Sequence, residues 1–366
     1  MRTLIILLTL LPTISNAQVT SKLLREKLDD ITDSPVHGMS MVIERQGNNV
    51  LSEAIGKRKK NGDALMITDQ FRIASSTKLF VSTIILQLLE EGKLHLADKI
   101  YPYLNEIEYL RLDEFHFYEN SAFAKVITIE QLLSHKSGLA DIFNDKQEAF
   151  FEHLISNPQQ HYRPKDVVEL YFEYGLYNEA KFEPGEGWHY SDMNYTLLGL
   201  LIEELDQKSL SQSIRDRIIR PLDLKDTYFE FYEKTETTES RAHQYVGTID
   251  FNDVNTSFDW SGGGLVSTHE NLVTFVEALF EGKLISERTL QKMITVEETN
   301  ENHLPYGLGV YQSVYNGQTF YGHYGFYGTY IGYCPDTKTA LSYCITQATP
   351  SFNVYGFVNF IVESVK

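Results

Sequence analysis

Phe71-Arg72-Ile73-Ala74-Ser75-Ser76-Thr77-Lys78 runs straight into Leu79-Phe80-Val81 and Ile84-Ile85-Leu86-Gln87-Leu88-Leu89, closing at Glu90-Glu91-Gly92. A strand-like triplet, Phe71 to Ile73, gives way to a segment from Thr77 to Glu91 that is almost wholly apolar, with glycine in the usual stop position. A helix with no polar face is a buried one. Serine stands at its start and lysine three residues later, so the two share a helix face and the Lys78 ammonium can reach the Ser75 hydroxyl. The helix amino terminus adds positive potential where negative charge would develop. Desolvation against the apolar helix favours the neutral amine, which can then act as a base. Taken alone, the same residues also fit a plainer reading, with serine as N-cap and lysine as a snorkelling surface residue.

Outward from this segment the chain changes period twice. Lys22 to Ile31 has helical spacing, then Met39 to Glu44 and Asn49 to Ile55 alternate like strands, separated by Gly47-Asn48. A mostly helical middle carries periodic segments at Ile129 to Ser134, Lys165 to Tyr174, Tyr195 to Leu205, Ser209 to Ile219 and Asn271 to Phe280. From Gly307 alternation returns at Tyr311 to Val314, Gln318 to Tyr321, Thr329 to Tyr333 and Ala340 to Ile345, and the chain ends in a helix-like Val354 to Val365. The expected fold is therefore α/β of the α+β type: an antiparallel sheet built from both chain ends (18–75 and 289–366), flanked by the terminal helices, with a mainly helical region (76–288) inserted. The site is expected between the two regions, where crevices usually bind ligands.

Composition narrows the function class. The 366 residues carry 32 basic and 50 acidic side chains, net −18, which argues against nucleic acid as a partner because phosphate neutralisation needs clustered Lys and Arg. The one basic run, Lys57-Arg58-Lys59-Lys60, precedes Asn61-Gly62-Asp63 and reads as a hairpin end. Residues 1–17 read as a signal peptide: Arg2, an apolar stretch from Leu4 to Leu11, and small residues at Ser15 and Ala17. Export to the periplasm or beyond is expected, with no transmembrane segment once the signal is removed; an uncleaved anchor is the alternative. Cys334 and Cys344 flank the turn Pro335-Asp336-Thr337-Lys338. A tight hairpin would set Cys344 opposite Thr329, about five residues or roughly 15 Å from Cys334, beyond disulfide reach, so both should be free and buried. No His-Glu-x-x-His or Cys-x-x-Cys spacing supports a metal, and no cofactor is expected.

Two further motifs carry chemistry. Glu183-Pro184-Gly185-Glu186-Gly187-Trp188-His189-Tyr190-Ser191-Asp192 leads into a helix, so that a Pro-Gly turn aims Tyr190. Tyr321-Gly322-His323-Tyr324-Gly325-Phe326 lies on a candidate strand whose glycines permit close approach by a ligand. Each also fits a structural role, Tyr190 as a core tyrosine and His323 as a satisfied strand histidine.

In order and context, Ser75-Ser76-Thr77-Lys78, Tyr190-Ser191-Asp192 and His323-Tyr324-Gly325 resemble the serine β-lactamase and penicillin-binding-protein-like superfamily, closest to its class C-related branch. Ile127 to Leu139, with Ser134-His135-Lys136-Ser137-Gly138, and Ser261-Gly262-Gly263-Gly264-Leu265 are similar to family phrases. The resemblance implies a β-lactamase/transpeptidase-like fold and covers Gly38 to the carboxyl terminus. It implies Ser75 as nucleophile, Lys78 and Tyr190 as the proton-transfer pair, and His323 orienting a substrate carboxylate or Tyr190. The backbone N–H groups of Ser75 and of Phe326, after Gly325, would form the oxyanion hole. The second motif departs from the family in ending with Asp192 where asparagine is usual; an ionised carboxylate can only accept hydrogen bonds. It could pair with Lys78 or bind a substrate ammonium. The expected activity is acyl transfer through a Ser75 acyl-enzyme on D-amino-acid peptides, esters or β-lactam-like substrates, cell-wall fragments among them. A genuine β-lactamase and a non-catalytic penicillin-recognising sensor are the competing readings.

Overall fold

The computed structural model describes residues 16–29, 32–235, 237, 240–299 and 303–365. Alternation along the first strands puts Met39, Met41 and Ile43 on one face and Ser40 and Val42 on the other, which sets how the sheet is covered. The elements that position the site are helix α1 (Asn16–Arg25), strands β1 (Gly38–Arg45), β2 (Asn48–Gly56) and β3 (Phe71–Arg72), and helix α2 (Thr77–Glu90). Helix α3 (Asp192–Asp206), strands β4 (Tyr228–Phe229) and β5 (Leu265–Ser267), and helix α4 (His269–Phe280) follow. Strands β6 (Tyr311–Tyr315), β7 (Gln318–Gly325), β8 (Thr329–Cys334) and β9 (Thr339–Ile345) and helix α5 (Val354–Ser364) complete the set.

Six strands form one antiparallel sheet in the order β6-β7-β8-β9-β1-β2, joining both chain ends by the pairing of β1 with β9. Met39, Met41 and Ile43 pack with Phe357, Val358, Ile361 and Val362 of α5 and Leu24 of α1. The opposite face meets α4, whose His269 bridges Ser40 and Ser342 through its two ring nitrogens at 2.8 and 2.7 Å. β3 belongs instead to a small sheet, β3-β5-β4, so the chain entering the turn that carries Ser75 is anchored to β5 and β4. α2 runs through the main core with Thr77 to Leu86 and Leu88 buried, and Phe80 stacks on Phe275 with centroids 3.8 Å apart. Burying each such side chain contributes about 1.5–3 kcal/mol, so α2 is held by packing and not by propensity.

The first helix differs from its sequence reading. It spans Asn16–Arg25 and does not continue through the expected segment, because Asp29 exchanges both backbone hydrogen bonds with Val36 and draws the chain out of helix; the last two positions of that segment, 30 and 31, lie outside the described residues. The export segment, 1–17, lies outside the described residues except for Asn16 and Ala17, which begin α1. Among the described residues no helix is long and apolar enough to cross a membrane. Arg58 of the basic run is held by Asp63 and Asp69 beyond the end of β2. Cys344 pairs opposite Thr329, and Cys334 and Cys344 are free and buried, as the hairpin geometry requires.

Candidate active site

Ser75 sits in the single 3-10 turn Ala74–Ser76 that joins β3 to α2. Ala74 takes a left-handed conformation (φ +45°), an unusual state for alanine that turns the chain so that the next residue is presented at the helix start. Ser75 is not the N-cap of α2. That position is Ser76, whose hydroxyl donates to the His323 carbonyl at 3.0 Å and so stitches the turn to β7. Thr329 Oγ1 donates to the Ile73 carbonyl at 3.1 Å on the same side. Gly325 makes this approach possible: a Cβ there would lie 2.3 Å from the Ile73 oxygen.

Lys78, in the first turn of α2, is fully buried and its Nζ donates to three acceptors. These are Ser75 Oγ at 3.1 Å, Gly262 O at 2.9 Å and Asp192 Oδ1 at 2.5 Å. Three acceptors match the three N–H bonds of an ammonium. Tyr190 comes from the loop before α3. Its side chain lines the same pocket as Ser75, its ring stacks on His135 at 4.2 Å, and Lys78 Nζ stands 4.9 Å from its centroid. His135 also accepts from the Ser191 N–H and the Asn194 amide through Nδ1, at 3.2 and 3.0 Å, while its carbonyl takes the His189 N–H. It therefore grips the chain on both sides of Tyr190. Burial, and then the Asp192 charge, push the Tyr190 phenol well above its ordinary value, so it rests as a neutral hydroxyl.

Asp192 begins α3, and its N–H donates to Asp141 Oδ2 at 2.7 Å. Asp141 also caps the short helix Ile142–Asp145, accepting from the Phe143 and Asn144 N–H groups. Burial and the Asp192 charge push the Asp141 carboxyl up to about 8. Gly262 completes the cluster from the Ser261-to-Leu265 phrase. A Cβ on it would stand 2.4 Å from Asp192 Oδ1. We expect Gly262→Ala to push Asp192 off Lys78 and lower kcat/KM about 100-fold, read against a thermal midpoint measured in parallel.

The structure thus brings Ser75, Lys78, Tyr190 and Asp192 together, and Phe326 lines the same pocket. His323 and Gly325 lie behind it. His323 is 1% exposed, donates from Nδ1 to the Tyr324 carbonyl at 2.7 Å and accepts at Nε2 from the Tyr306 hydroxyl at 3.1 Å. Burial, then the Lys78 charge, bring it down to about 3, so it is a neutral imidazole. The sequence reading did not mark Asp141, Asp259 or the pocket's aromatic wall. The available signal was the run of Phe143, Phe150 and Phe151, and the position of Asp259 just before the glycine phrase that was marked.

A sequence profile of the Beta-lactamase family matches residues 22–357. Protein flp of Staphylococcus aureus (strain MW2) is 30% identical over 221 residues, 60% of this chain and 39% of that protein. The chain thus spans about two fifths of the length of that relative. The putative penicillin-binding protein PbpX of Bacillus subtilis (strain 168) is 27% identical over 279 residues, 75% of this chain and 61% of the relative. Among solved structures, the fold is similar to a D-stereospecific amidohydrolase from Streptomyces sp. (TM-score 0.76, 23% identity, 94% of this chain and 98% of that one). It is also similar to EstCE1, a hydrolase with promiscuous acyltransferase activity (TM-score 0.75, 19% identity, 96% and 97% covered). The profile match runs through all three motifs, and the fold they sit on is shared with those structures; the chain belongs to the beta-lactamase family.

Proposed function

We propose that this chain is a serine hydrolase that transfers acyl groups through an ester on Ser75. The observation that carries the reading is the contact of Ser75 Oγ with Lys78 Nζ, at 3.1 Å, on the wall of an aromatic pocket that Tyr190 also lines. Lys78 Nζ donates to Asp192 Oδ1 across 2.5 Å. With that proton on Asp192, the Lys78 amine takes the Ser75 proton as Oγ bonds to the substrate carbonyl carbon. The proton then passes through the Tyr190 hydroxyl to the departing amine or alkoxide, and water reverses the path to free the acid. The Ser75 and Phe326 N–H groups would hold the oxyanion, where one donor typically contributes about 2.7–4 kcal/mol.

Substrate charge ranks the activities. Among the described residues, the pocket lining holds Asp192 and Asp259 and no cation, and His323 is neutral. A free carboxylate finds no counter-charge there, so amides and esters, including amino-terminal D-amino-acid derivatives, rank above carboxypeptidase and β-lactam substrates. Residues 1–17 are read as directing export, which would place such substrates in the periplasm or outside the cell. The engagement of Lys78 by three acceptors favours one second reading, a non-catalytic binding protein. A fluorophosphonate label on Ser75 together with turnover of esters supports the hydrolase; absence of both supports the binding protein.

Asp192→Asn tests this proton path. We expect kcat/KM to fall about 100-fold for an ester, an aminoacyl amide and a cephalosporin alike, with the pH–rate profiles altered in the same way for all three. A change confined to the amine-bearing substrate would assign Asp192 to substrate selection and remove it from the relay.

A further inference from the structure

Beyond the reacting atoms, the pocket has a composition that selects its occupant. Two aromatic runs line it: Phe143, Phe150 and Phe258, with centroids 5.1 to 5.7 Å apart, and Phe151, Phe251, Tyr327 and Phe326, 5.4 to 6.0 Å apart. The enclosed space is about 170 Å³. For scale, an apolar cavity of about 150 Å³ in another protein holds a benzene. That is room for one aromatic side chain.

Asp259 faces this space beside the nucleophile. A methyl built on Gly263 would lie 3.2 Å from Asp259 Cβ and 3.3 Å from the Ala74 carbonyl carbon, so Asp259 adjoins the turn that carries Ser75. The hydrogen bond given to its side chain by the described residues is that from the Tyr327 hydroxyl to Oδ2, at 2.7 Å. Asp192 is matched by Lys78, and Arg72 is matched by Glu230, so Asp259 is the lining carboxylate without an ion-pair partner among the described residues.

We infer that Asp259 is a specificity-determining residue that anchors a substrate ammonium, so that the acyl group taken by Ser75 bears a positively charged amine next to one aromatic side chain. This deepens the hydrolase reading and rests on it for the acyl transfer, though the binding it describes does not need turnover. Aromatic faces around an organic cation add to the attraction of the carboxylate. Burial pushes the Asp259 carboxyl up to about 7, with the Asp192 charge adding and the Tyr327 hydrogen bond and the more distant Arg72 and Lys78 charges opposing. A carboxylate so poorly solvated gains most from an arriving cation.

Binding separates this inference from the chemistry. On Ser75→Ala protein, calorimetry with the two enantiomers of phenylalaninamide and with 3-phenylpropanamide compares ligands that differ in the amine alone. At least one enantiomer should bind about tenfold tighter than the neutral amide, since a hydrogen bond to a charged group contributes roughly 1.5–3 kcal/mol. Adding Asp259→Asn, which keeps an acceptor for Tyr327, should erase that preference. Equal Kd values for the amine and the neutral amide overturn the inference without recourse to any variant. So does a preference that survives Asp259→Asn unchanged. Failure of fluorophosphonate to label Ser75 in the unaltered protein would remove the hydrolase reading and leave the ammonium site standing or falling on these Kd values.

Discussion

Replacing Ser75 by alanine should abolish covalent labelling and lower kcat/KM by about 10⁴-fold or more, to the level left by binding and the oxyanion hole. Thermal stability should hardly change. Ser75 caps no helix: the N-cap position of α2 belongs to Ser76, whose hydroxyl is spent on the His323 carbonyl. What the substitution deletes is one acceptor for Lys78, which keeps Asp192 and Gly262. Intact-mass measurement after fluorophosphonate treatment, paired with a melting curve, checks both halves. Parallel loss of stability and activity would mean that the serine serves the fold.

Lys78→Met should be as damaging to turnover, by about 10⁴-fold, and should also cost about 3 kcal/mol of stability. Lys78 is fully buried, and removing its charge strands Asp192. Breaking a buried pair from one side typically costs about 3–5 kcal/mol; the low end applies because the Asp192 side chain is 20% exposed to the pocket. Methionine fills the volume along the apolar helix, so the loss reports charge and not a cavity. The double variant Lys78→Met with Asp192→Asn should recover most of the stability and none of the activity. Denaturant unfolding of the two single variants and the double one closes a cycle that separates the relay from the fold. If the double variant is no more stable than Lys78→Met, the pair does not hold the helix start.

Residues 71–92 determined more about this protein than any other stretch, because both of their signals are local. An apolar run of one helix length can satisfy itself only by burial, and Ser75 and Lys78 meet through helical spacing alone; the structure finds Nζ and Oγ 3.1 Å apart. Tyr190 was legible for a similar reason, since a Pro-Gly turn leading into a helix aims a loop residue, and Asp192 through the resemblance of Tyr190-Ser191-Asp192 to a family motif. The alternation after Gly307 likewise gave strands β6 to β9 and, through the hairpin register, two cysteines too far apart to pair.

Charge states and pocket shape were decided by tertiary structure. Whether the second-motif carboxylate serves the lysine or a ligand depends on a contact across 114 residues, made possible by the missing side chain of Gly262. His323 was legible as a motif residue, yet its neutrality comes from burial and from Tyr306 and Tyr324, which occupy both ring nitrogens. The first helix ended early because of the backbone pairing of Asp29 with Val36, which no periodicity records. The aromatic wall and Asp259 could not be assembled into one site from sequence because Phe143 to Phe151 and Phe251 to Asp259 stand about a hundred residues apart. Local patterning says that such residues are apolar or acidic; only the packing that encloses them on one side of Ser75 makes them a pocket.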